Sequence, residues 1–148
     1  MKIKIKVAKG LENQLKNKEV ATEVMEVQKL FDTSNFNYSD GTINFVILKG
    51  IYSHIKRRMC VIGVYVNKSD SCILGLGCTL DLKFKNIDAK IMTADVAFPN
   101  EFIGSLDVDE GLLMHLDIPV MGLSEDAIYD INDINGELSN VKLIKKST

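Results

Sequence analysis

The chain has 148 residues, of which 46% are hydrophobic and 26% charged, with a formal net charge of −2. That is the balance of one globular domain with its own core, and it excludes a disordered, collagen-like or disulfide-built chain. The longest apolar stretch, Met59 to Val66, is too short to cross a bilayer, and the lysine-rich start lacks the apolar run of a secretory leader, so a cytoplasmic protein with no membrane insertion is expected.

Lys2 to Val7 alternates lysine with isoleucine or valine, which predicts a short edge strand with a lysine-studded face of the kind that discourages further pairing. Over 11–31 the apolar residues Leu11, Leu15, Val20, Val24, Val27 and Phe31 fall at spacings near three and four, which predicts an amphipathic helix; its valine-rich second half leaves a strand as the competing reading. The Asn, Ser, Asp and Gly content after Phe31 predicts a connecting loop.

Everything from 41 to 146 reads as strands. Ile43 to Ile51 begins the series, Lys56 to Arg58 makes a polar break, and Met59 to Val66 is apolar on both faces, as a central strand would be. After a turn at 67–71, Leu74 to Phe84 alternates cleanly with small and polar residues. Met92 to Phe98 and Leu112 to Ile118 alternate again, each limited by the proline that follows. A last hairpin would join 128–131 to 138–143 across Asn135-Gly136. The expected architecture is therefore mostly β, a single antiparallel two-sheet sandwich spanning 1–148 as one domain, with the N-terminal helix covering an edge or end.

Charge is unevenly distributed along the chain. No Lys or Arg occurs between Ile91 and Val141, a segment that holds eleven acids, whereas residues 1–90 carry fifteen Lys or Arg against nine acids. Asp107, Asp109 and Glu110, three acids within four residues of an expected loop, together with Asp117, are the candidate docking residues for a basic protein partner, against the plainer reading that interleaved strands spread these charges over a solvated surface. Nucleic acid is not expected as a partner, because the basic residues lack the clustered footprint and interleaved aromatics that phosphate binding needs.

Candidate chemistry is sparse. His115 and Asp117 share one strand face at the spacing of a base and its orienting carboxylate, but no nucleophile accompanies them in sequence. The stretch 130–136, DINDING, offers alternating oxygens to a cation in the wrong register for a calcium loop. Cys72, Cys78 and His54 lack zinc-knuckle spacing, and three cysteines without a CxxC pair point to reduced thiols, with a Cys72–Cys78 bridge the less favoured reading. No catalytic residue, cofactor or metal ligand is assigned.

The order of an amphipathic helix, a loop with Gly41, and the segments INFVILKGI, VIGVYVNKSDS, TLDLKF and VAFPNEFIGSLDVDEGLLMHLDIPV resembles the SLAP domain of low-GC Gram-positive bacteria over roughly Leu11 to Val120. The valine-rich strand running into Asn67-Lys68-Ser69-Asp70 is the most telling piece. The resemblance implies an immunoglobulin-like β-sandwich and a part in accessory Sec secretion of S-layer proteins, with no catalytic motif. The expected function is a non-enzymatic protein-binding module, a cytosolic helper or adaptor in secretion that docks through its acidic loop or a strand edge, with a homo-oligomer also allowed by such edges. The alternatives are a small-molecule or divalent-metal-binding regulatory domain, and a phage or mobile-element protein that binds a host protein.

Overall fold

A strand that is apolar on both faces needs two covering layers, and the computed structural model, which describes residues 2–147, supplies both. In chain order the elements are β1 (Lys4–Lys6), a 3-10 segment (Lys9–Lys16), α1 (Lys18–Thr33), β2 (Ile43–Ser53), β3 (Arg58–Asn67) and β4 (Ile73–Phe84). They continue with β5 (Lys90–Ile91), β6 (Ala94–Phe98), α2 (Asn100–Ile103), β7 (Glu110–Met121), β8 (Ala127–Asp130) and β9 (Ile134–Lys145). The larger sheet runs β1-β7-β3-β2-β8, with β5 on the same side of β7 as β1; the smaller runs β6-β4-β9. The fold is mostly β, in two open sheets with added helices.

The central place expected for 59–66 holds, because β3 pairs with β2 on one side and β7 on the other. Met59, Val61 and Tyr65 face the smaller sheet and pack with Leu76, Cys78, Leu80, Leu82 and Phe98. Phe45 and Phe98 flank the Tyr65 ring at centroid distances of 4.9 and 5.5 Å. Ile62, Val64 and Val66 face the other way, where Val27 and Phe31 of α1 cover them together with Ile3, Ile5 and Leu113. The helix is thus a third layer on the outer face of the larger sheet, on the half that ends at the edge strand β1.

Four further expectations are corrected. The helix anticipated over 11–31 breaks at Asn17, whose side chain accepts from the backbone N–H of Glu19 (2.8 Å) and Val20 (3.4 Å), so α1 starts there and the preceding turns stay 3-10. Pairing is not all antiparallel: β1 lies parallel to β7. Its free side is closed by Gln28, which donates to the Ile3 carbonyl (2.9 Å) and accepts from the Ile5 N–H (2.8 Å), a side-chain amide standing in for a missing strand. Pro119 does not end β7, because its carbonyl accepts from Met92 N–H (3.0 Å) on the outer side, so the missing N–H costs no rung with β3.

The hairpin expected across Asn135-Gly136 does not form. β8 pairs with β2 in the larger sheet and β9 with β4 in the smaller, and the chain changes sheets at 131–133. Gly136 is instead a strand residue under close approach: a Cβ there would lie 3.0 Å from Leu82 Cδ2 and 3.3 Å from the Phe45 ring.

The two halves of the body are pinned by Asn67, fully buried at the end of β3. Its carbonyl oxygen Oδ1 accepts from Ser69 N–H (2.9 Å) and Ser69 Oγ–H (2.6 Å), while Nδ2 donates to the carbonyls of Ser71 (3.0 Å) and Leu106 (2.8 Å). One amide thereby fixes the turn into β4 and the loop before β7. Asn67→Ala leaves these groups without their partner and is expected to cost about 3 kcal/mol; urea unfolding checks this, and a loss near zero would show that the turn holds without the amide.

Candidate functional site

The acidic loop before β7 is a structural joint. Asp109 sits at φ 64° with its side chain only 13% exposed, and its Oδ1 takes a 2.8 Å ion pair from Lys68. Glu110 accepts from Asp107 N–H (2.8 Å) and lies 3.6 Å from Lys6 Nζ. Asp117 holds Arg58, which donates through Nε to the carboxylate (2.8 Å) and through Nη2 to the Asp117 carbonyl (2.8 Å). Three of the four residues expected to dock a partner therefore serve cations of their own chain, and exposed Asp107 alone has no cationic partner.

The unspent acids gather elsewhere, around β8. Residues 124–133 hold Glu125, Asp126, Asp130 and Asp133 without a single base, and β8 ends the larger sheet, pairing only with β2. A bulge between Ile47 and Lys49 of β2 marks where the cover of α1 stops: Val46 and Leu48 pack under the helix, whereas Lys49 and Ile51 lie outside it. Ile51 pairs with Ile128, which is 67% exposed, and Ile55 at the β2–β3 tip is 95% exposed. This half of the sheet presents an open edge, an apolar pair and an acidic fringe. The last rung is closed by Asp133, whose carboxylate accepts from Asp130 N–H (2.9 Å).

On the same outer face, three elements converge at His115. Its Nε2 lies 2.7 Å from Glu23 Oε1 of α1, and its Nδ1 lies 4.0 Å from Cys60 Sγ of β3. Burial, followed by the negative charges of Asp117 and Glu23, pushes the Cys60 thiol up from its ordinary value. His115 and Asp117 do not act as a pair, because the imidazole turns to Glu23 and the carboxylate to Arg58.

The other sequence candidates are used locally. In the 130–133 turn, Asp130 Oδ1 accepts from Asn132 N–H (2.8 Å) and Asp133 from Asp130 N–H, so oxygens that resembled a calcium loop face their own backbone. No group of three or more metal-ligating side chains is gathered among the described residues. The backbone N–H of His54 donates to Asp126 Oδ1 (2.7 Å), and Cys60, Cys72 and Cys78 are all free thiols. A cleft of about 590 Å³ lies at the C-terminal end of α1 between Phe31, Phe36 and Tyr38; its cations Lys2 and Lys68 are paired with Asp32 (3.5 Å) and Asp109 (2.8 Å). Among the described residues that leaves no unpaired charge in the cleft to fix a ligand.

Among the described residues, no helix is long and apolar enough to cross a membrane. No protein-family model matches the chain, and no curated protein or solved structure shows detectable similarity to it.

Charge reversal separates joint from surface. Asp109→Lys leaves Lys68 facing a like charge in a largely buried place and is expected to lower stability by about 2 kcal/mol, whereas exposed Asp107→Lys leaves the denaturation midpoint unchanged. Equal effects of the two in urea unfolding would contradict the structural role of the Lys68 pair.

Proposed function

We propose that the chain is a non-enzymatic protein-binding module that takes an extended, basic segment of another protein along the free edge of β8. The observation that carries this is the coincidence, at one sheet edge, of a strand that pairs with β2 alone, exposed Ile128 beside Ile51, and four acids with no base in 124–133. An added strand would gain backbone hydrogen bonds from the edge and place one alternate side chain on the isoleucines. Lys or Arg at the positions between would meet the acids. The four-residue length of β8 limits unspecific edge-to-edge growth, and two β8 edges facing each other would set acid against acid, which disfavours self-pairing.

The narrower form of the proposal is a SLAP-like adaptor in protein secretion that works in the cytoplasm on an immunoglobulin-like sandwich body. Two packed sheets with antiparallel pairing throughout, apart from β1, support the sandwich; the valine-rich β3 running into the Asn67 turn supports the affiliation. Three free thiols support a reducing compartment.

The test is an array of short extended peptides that alternate β-branched residues with Lys or Arg, read by fluorescence anisotropy at low and high salt. Binding that weakens with salt and falls about tenfold or more in Ile128→Lys and Glu125→Lys is expected. Failure of every basic peptide to bind, or binding indifferent to both substitutions, would remove β8 as the docking edge.

A further inference from the structure

We propose that Cys60 is a site of thiol–disulfide exchange with small neutral or cationic disulfides, with His115 as its base and Glu23 as the residue that orients the base. The assignment goes beyond the docking reading and does not depend on it.

Three observations carry it. First, the order of groups is thiol, imidazole, carboxylate, drawn from β3, β7 and α1. At 2.7 Å the Glu23 carboxylate accepts from Nε2–H, which fixes the tautomer and leaves the Nδ1 lone pair facing Cys60 Sγ at 4.0 Å. Second, the thiol is reachable. Cys60 is half-buried on the part of the sheet that α1 leaves open, next to exposed Ile51, whereas Cys78 is buried in the core. Third, burial and the carboxylates of Asp117 (β7) and Glu23 (α1) hold the resting thiol protonated. The cations on the same face, Arg58 of its own strand and Lys49 of β2, act in the opposite sense, but Arg58 is bound to Asp117 and Lys49 stands across from Asp130 of β8. A thiol of raised pKa is the stronger nucleophile once its proton leaves, so a neighbouring base is what it lacks and His115 is what stands there.

The surroundings also select the reaction. Cys60 pairs with Ile51 on one side and Asp117 on the other, so neighbouring backbone N–H groups are occupied in the ladders and none is free to stabilise an oxyanion. Acyl transfer is poorly served by such a site, whereas exchange develops charge only on sulfur. In the step, the Cys60 S–H proton passes to His115 Nδ1, Sγ forms a bond to one sulfur of the disulfide, and the disulfide bond breaks. The departing thiolate then takes the proton from His115, so a disulfide and a thiol become a mixed disulfide and a new thiol. The carboxylates of Glu23, Asp117 and Asp130 disfavour anionic disulfides.

The experiment is modification of the full chain by cystamine, a cationic disulfide, followed by peptide mass spectrometry between about pH 6 and 9, with Cys72 as the internal reference and Cys78 as the reporter of unfolding. Cys60 is expected to outpace Cys72 at neutral pH. His115→Gln should slow Cys60 by about tenfold or more and steepen the rise of its rate with pH, with Cys72 unaffected; Glu23→Gln should give a smaller loss in the same direction. A clasp that merely held α1 to β7 would instead leave the Cys60 rate and its pH profile unchanged in both variants, and that result, or cystamine labelling Cys72 while Cys60 stays free, overturns the assignment.

Discussion

The whole structure answers to one constraint, the two-sided burial of β3. With Met59, Val61 and Tyr65 on one face and Ile62, Val64 and Val66 on the other, no single packed sheet could bury the strand. The smaller sheet takes the first face and α1 the second. A 16-residue helix is only about 24 Å long, so it covers one half of the larger sheet and leaves the other open. The β2 bulge after Ile47 lies at that border, and the open edge, the apolar pair Ile51–Ile128 and the Cys60–His115–Glu23 row all lie on or against the uncovered half. What the protein can offer a partner is thus set by the length of the helix that completes its core.

The charge asymmetry along the chain acts largely within the molecule. Lys6, Arg58 and Lys68 come from the cation-rich first ninety residues and hold Glu110, Asp117 and Asp109 from the cation-free segment. Strand order explains this: β7, which begins and passes through those acids, lies between β1 and β3, whose residues and following turn supply the cations. Around β8 the only cation in cross-strand register is Lys49, opposite Asp130, so most of the acids of 124–133 are left over for another molecule.

Period and composition were enough to identify β3 as central, β4 as an alternating strand and the chain as mostly β, because those signals are local. The break at Asn17 was masked by apolar spacing that runs through it, although an asparagine seven residues into the pattern is a capping residue by chemistry. Asn135-Gly136 has the residues of a tight turn, and only the packing of Leu82 and Phe45 against Gly136 reveals a different need for glycine. Of the candidate site, His115 and Asp117 were visible as same-face neighbours, but their partners were not. Glu23 and Arg58 reach them through helix placement and cross-strand register, which a single sequence does not carry. The ion pairs of Asp109 and Glu110 were hidden for the same reason, since the lysines that meet them lie far away in sequence.

Native-state amide hydrogen exchange, resolved residue by residue, tests the layered account most directly. Amides of β3 from Met59 to Val66 should exchange only through global unfolding, those of α1 facing the sheet somewhat faster, and the outward amides of β8 fastest of all the strands, as befits an uncovered edge. Protection of Ala127 to Tyr129 as strong as that of β3, or loss of protection on one face of β3 alone, would contradict a core closed by two layers with an open edge beside it.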